Sequence, residues 1–100
     1  MMKKFILFYK GPATPPGASH EKWPAWFQKL GEKLVDRGSP MQNGLALHND
    51  GSTSDSATNF NGYSIIQARD INTAKELVRD HPFLSAGRNE YSIEIFELPQ

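Results

Sequence analysis

The run Phe5-Ile6-Leu7-Phe8-Tyr9 is apolar at every position. Side chains alternate along a strand, so Phe5, Leu7 and Tyr9 face one way while Ile6 and Phe8 face the other. One layer of helices covers only one of those faces. A chain of 100 residues has little left to cover the second, so a strand of this kind calls for a helix layer on one side and a second copy of the chain on the other.

The same shortage makes residues 1–100 a single domain. Eleven basic side chains balance eleven acidic ones. No global field attracts a polyanion, and nucleic acid is disfavoured as a partner. The chain has no cysteine, which removes disulfides, thiolate metal sites and a cysteine nucleophile together. After Met1-Met2-Lys3-Lys4 the apolar run is too short for a signal peptide or a membrane span, and Gly11-Pro12 follows at once. The expectation is a cytoplasmic protein with no membrane contact.

Gly11 to Gly17 carries Pro12, Pro15 and Pro16 and reads as a stiff surface connection without the free amides of a phosphate loop. From Ser19 to Arg37 the pattern is helical. Trp23, Trp26, Phe27, Leu30 and Leu34 form one stripe, and Gly38-Ser39-Pro40 ends it. Ser19 is a candidate cap, but Pro24 lies beyond the first turn from it, so the helix either starts near Trp23 or is distorted. Gly31 inside this helix costs about 1 kcal/mol against alanine and suggests close backbone approach. Met41 to His48 reads as a weak strand, Asn49 to Asn59 as a polar loop and Phe60 to Ala68 as a strong strand, with Phe60 and Ile66 on one face and Tyr63 and Ile65 on the other. Asp70 caps a second helix with the stripe Ile71, Ala74, Leu77 and Val78. Pro82 to Gly87 adds one further turn, and Glu90 to Leu98 closes the chain as a strand.

The order is β-α-β-β-α-β. Right-handed crossovers then give a ferredoxin-like α+β fold, a four-stranded antiparallel sheet with two helices on one face and strands one and three in the centre. Its helix-free face is too apolar to stand in water, and a homodimer through that face is the expected cover.

The tryptophan-rich first helix with Gly38-Ser39-Pro40, the run Asn61-Gly62-Tyr63-Ser64-Ile65-Ile66, and Asp80-His81-Pro82-Phe83 before Gly87 resemble the YCII-related domain family over nearly the whole chain. The resemblance implies a dimeric α/β-barrel of the ferredoxin-like type, in small bacterial proteins mostly without assigned function. It also implies a histidine on the first helix and an aspartate before the proline that follows the second, both suspected of acid–base work. Here the first position falls on Phe27. His81 stands directly before Pro82, with Asp80 one further back, so that pair is not carried over.

The topology places Tyr9, His20, His48, the loop with Asp55 and Ser56, and His81 at one edge of the sheet, beside the aromatic residues Trp23, Trp26 and Phe83. A polar cluster against aromatic walls is how small-molecule pockets are built. His81 and Asp55 are the candidate catalytic residues, His81 as the acid–base group and Asp55, His20 or Tyr9 as its orienting partner; Tyr9, His20, His48, Ser56 and Phe83 are candidate ligand contacts. Each has a plainer alternative. His81 after a helix can be a cationic cap. His20 and His48 can be simply exposed, and the two tryptophans can be core. No local spacing enforces a metal site, and the polar loop lacks the acids of a calcium loop, so neither metal nor cofactor is expected.

Two functions stay open. One is cofactor-free acid–base chemistry, such as isomerisation or elimination, on a small molecule. The other is a non-catalytic dimeric module that binds a metabolite or a protein partner. They separate on geometry: an enzyme needs His81 within hydrogen-bond reach of a carboxylate or hydroxyl and open to a concave pocket, whereas a histidine in bulk solvent with no polar neighbour favours the module.

Overall fold

A computed structural model describes residues 2–11, 22–56, 60–85 and 91–99. The elements run β1 (Lys3–Lys10), α1 (Trp23–Leu30), a 3-10 turn (Gly31–Lys33), β2 (Leu34–Pro40), β3 (Leu45–Leu47), β4 (Thr53–Asp55), β5 (Phe60–Ala68), α2 (Ile71–Val78), α3 (Pro82–Ser85) and β6 (Ser92–Leu98). Four strands make an antiparallel sheet in the order β2-β5-β1-β6, the ferredoxin-like arrangement, with the first and third sheet strands central. A separate two-stranded ribbon, β3 with β4, is inserted between β2 and β5.

The alternation expected of β1 is the organising feature. Phe5, Leu7 and Tyr9 are buried under the helices, together with Ser64, Ile66 and Ala68 of β5. Trp26, Phe27 and Leu30 of α1, Ala74 and Val78 of α2 and Phe83 of α3 close the core over them. Asp70 caps α2 as its position suggests, its Oδ1 accepting the Thr73 amide at 2.8 Å. Among the described residues, no helix is long and apolar enough to cross a membrane.

The second sheet strand is not the one expected from the sequence. The apolar stripe through Leu30 and Leu34 suggested a helix to Arg37, but α1 stops at Leu30 and Leu34–Pro40 is strand β2. Gly31 is the reason. It adopts φ +60° at the C-cap, outside helical geometry. Close packing is not why glycine stands there, since an added Cβ would meet nothing within 4 Å. Downstream, Leu34 finds its partner across the sheet in Ile66. Gly38-Ser39-Pro40 therefore ends a strand, and of Met41 to His48 only Leu45–Leu47 is extended, in the ribbon.

The expected helix start near Trp23 holds, with Pro24 in the first turn. Ser19, the prolines at 12, 15 and 16, and Gly87 lie outside the described residues. A register shift after Tyr9 also moves one side chain. Lys10 pairs with Phe60, and Phe60 stacks on Phe8 at 4.7 Å on the helix-free face, not with Ile66.

Candidate small-molecule site

The site begins with a polar chain inside the core. His81 follows α2, its amide donating to the Val78 carbonyl at 3.0 Å. Its Nδ1 accepts the Phe83 amide at 2.9 Å, so the side chain caps the N-terminus of α3 in the manner of Asn or Ser. The cap expected here was a cation at the C-terminus of α2. The bond found requires the opposite state at Nδ1, an unprotonated acceptor.

Every hydrogen in the chain follows from its two ends. A carbonyl oxygen can only accept, so Ser64 Oγ donates to the Arg37 carbonyl at 2.7 Å. Tyr9 Oη donates to Ser64 Oγ at 2.6 Å. His81 Nε2 lies 3.1 Å from Tyr9 Oη. With Nδ1 taken by an amide, Nε2 carries the proton and donates it. The imidazole is 1 % exposed, packed on Trp26 at 4.0 Å and edge-on to Trp23 at 4.6 Å. That burial lowers its pKa from 6.5 to about 3, against a weaker upward pull from the Asp80 carboxylate. Burial likewise raises the Tyr9 phenol to about 12, although its bond to Ser64 pulls the other way.

Tyr9 also faces outward, into a cavity of about 350 Å³. Its ring meets Trp23 edge-on at 4.9 Å and Phe83 at 5.2 Å. Trp23, Phe27 and Phe83 form further walls, with Arg37 and Gly62 on the sheet side. The Arg37 guanidinium carbon sits 5.0 Å from the Phe27 ring centroid. Outside the cavity, Asp80 joins the two helical regions: it accepts from the Trp26 indole at 3.3 Å and pairs with Lys29. Those contacts hold its carboxyl below the usual carboxylate range.

Of the residues singled out from the sequence, Tyr9, His81 and Phe83 come together. His48 and Asp55 lie exposed on the inserted ribbon, where His48 Nε2 is 2.9 Å from Ser54 Oγ. Half-buried Ser56 follows the ribbon, its amide bonded to the Gly44 carbonyl at 3.1 Å. None of these three lines the cavity. His20 lies outside the described residues. Sequence reasoning missed Ser64 and Arg37. Ser64 carried a signal, being the one hydroxyl at an inward position of β5, between Gly62 and Ile66. Arg37 was hidden by the helix assigned across it. Among the described residues, no group of three His, Cys, Asp or Glu gathers to hold a metal.

Comparison with known proteins decides the family. The model of the YCII-related domain matches residues 2–97. This chain belongs to the YCII-related domain family. A solved structure, PA3566 from Pseudomonas aeruginosa, is similar at 18% identity, over 100% of this chain and 95% of that one, with a TM-score of 0.36. No curated protein matches the chain. Within this YCII-related domain, the suspected first-helix histidine position is Phe27, a cavity wall. His81 stands behind Tyr9.

Proposed function

We propose that this YCII-related domain binds a small, ring-bearing molecule in the cavity beside Tyr9, as a homodimer joined through the helix-free sheet face. The observation that carries the reading is the cavity's make-up: aromatic walls around a few fixed polar groups, in a volume suited to a small ligand. The dimer is supported by the apolar residues on the sheet's other face, where Ile6, Phe8, Phe60, Ile65 and Phe96 lie and Phe96 is 51% exposed.

Binding without chemistry is favoured over acid–base catalysis for a specific reason. A general acid or base works best with a pKa near the operating pH. Tyr9 at about 12 and His81 at about 3 flank neutrality on both sides. One observation keeps a cofactor-free isomerase or lyase as the second reading: the hydrogen-bonded chain from His81 passes through Tyr9, a side chain of the cavity wall. In that reading Tyr9 contacts the ligand and His81 acts as its positioning residue.

The test is a fragment titration followed by amide and indole NMR shifts. Binding at the cavity moves the resonances of Tyr9, Gly62, Phe83 and the Trp23 indole together. Shifts confined to other surfaces, or none from any ring-bearing fragment, overturn the reading. A bound compound that is converted by the wild-type protein but not by Tyr9→Phe establishes the catalytic alternative.

A further inference from the structure

The reading of the cavity as a ligand site leaves its single charge unexplained. Arg37 is the one formally charged side chain among the lining residues, which include neither a carboxylate nor a lysine. Among the described residues, no acid forms an ion pair with it. The nearest in sequence, Asp36, is turned onto its own backbone, its Oδ1 accepting the Gly38 amide at 2.8 Å.

The strand is also built to put Arg37 there. Asp36 stands opposite Ile65 and Ser39 opposite Tyr63. Ile65 and Tyr63 both belong to the helix-free face, so Arg37 and Gly38 together fill one position of the ladder, a bulge. Gly38 makes the bulge possible with φ +77°. Next after Asp36 on the strand, Arg37 faces the helix side, where its carbonyl receives the Ser64 hydroxyl and its guanidinium lies over Phe27, and the bulge then returns Ser39 to the helix-free face. A guanidinium held over a ring by a cation–π contact keeps its N–H donors for a partner.

We propose that the ligand is a small aromatic carboxylate, its ring among Tyr9, Trp23, Phe27 and Phe83 and its carboxylate on the Arg37 fork. This rests on the cavity being the ligand site. A planar, singly charged carboxylate matches one guanidinium in geometry and in charge. A phosphate dianion would leave charge uncompensated against aromatic walls, which is costly.

The experiment compares benzoate with its neutral isostere benzamide, followed by tryptophan fluorescence or calorimetry on the full chain. Wild type is expected to prefer benzoate by about tenfold, the scale of one charge-assisted pair. In Arg37→Gln that preference collapses to about one, and Arg37→Lys, which keeps the charge without the fork, falls between. The Ser64 bond uses the backbone carbonyl of residue 37, so these variants retain the polar chain. Equal binding of the two probes by wild type, or an unchanged preference in Arg37→Gln, overturns the carboxylate assignment and leaves the cavity reading standing. If neither probe binds at about 10 mM, a concentration that detects even millimolar affinity, the cavity reading fails and this proposal with it.

Discussion

His81 Nε2 lies 3.1 Å from the phenol oxygen of Tyr9, a residue 72 positions away in sequence. Because Nδ1 is occupied by the Phe83 amide, this contact has one polarity only: imidazole to phenol, phenol to serine, serine to carbonyl. Removing the phenol hydroxyl leaves the Nε2 proton without an acceptor and the Ser64 oxygen without its donor. Tyr9→Phe is expected to cost about 1–3 kcal/mol of stability, the penalty for a buried group left unsatisfied. Ser64→Ala orphans the phenol hydrogen and falls in the same range. Chemical denaturation of both variants and of the double variant checks this. The double variant is expected to lose less than the sum of the two, since the three groups act as one network.

Acid exposes the same imidazole in a different way. Its pKa is about 3 in the folded chain against an ordinary 6.5, so between those values the unfolded chain binds a proton that the folded chain refuses. The stabilisation is complete above 6.5 and is lost progressively as pH falls toward 3, at up to about 1.4 kcal/mol per pH unit. Asp50, Asp70 and Asp80 also have lowered pKa values, but their contributions fade only below the ordinary carboxylate range. Among the described residues, the shifted group that changes stability between about pH 6.5 and pH 4.5 is therefore this imidazole. His81→Asn, which can still accept from the Phe83 amide but does not titrate, is expected to flatten that slope.

How much of this the sequence announced varies by element. β1 and β5 are legible because period-two alternation survives in their burial, with Phe60 at the register shift as the exception. α2 was legible through Asp70. β2 was not, because Leu34 continues the spacing of α1 and only the backbone angle of Gly31 breaks it. With β2 misplaced, His48 was assigned to the end of a sheet strand, whereas it lies on the inserted ribbon. The juxtaposition of Tyr9, His81 and Phe83 survived that error because it depends on β1 and α3 alone.

The bulge at Arg37 has its own signature. A Cβ on Gly38 would lie 1.7 Å from the Tyr63 carbonyl oxygen, at a φ of +77°. Gly38→Ala is expected to destabilise the chain by roughly 3 kcal/mol or more, through overpacking against backbone that cannot yield. Gly31→Ala meets open space and carries only the strain of its backbone angles, φ +60° and ψ −126°, about 1–3 kcal/mol. Thermal melts of the pair separate the two causes, and equal losses would contradict the tight approach at Gly38.

The proposed dimer gives a hydrodynamic expectation. Wild type at micromolar concentration should sediment at twice the 11.2 kDa of one chain. Ile65→Lys puts a charge in the middle of the helix-free face, opposite Ile6, and should shift the species to a single chain while leaving the helical signal intact. A wild-type protein that sediments as one chain contradicts the dimer.

The polar chain that fixes Tyr9 in the cavity wall rests on a buried, neutral His81 that gives its Nε2 proton to the phenol. Long-range ¹H–¹⁵N NMR of the histidine side chains measures that state directly. The expected spectrum shows Nδ1 of His81 unprotonated and Nε2 protonated, unchanged from about pH 8 down to about pH 4. A His81 ring that titrates near the ordinary histidine value, or carries its proton on Nδ1, would contradict the account.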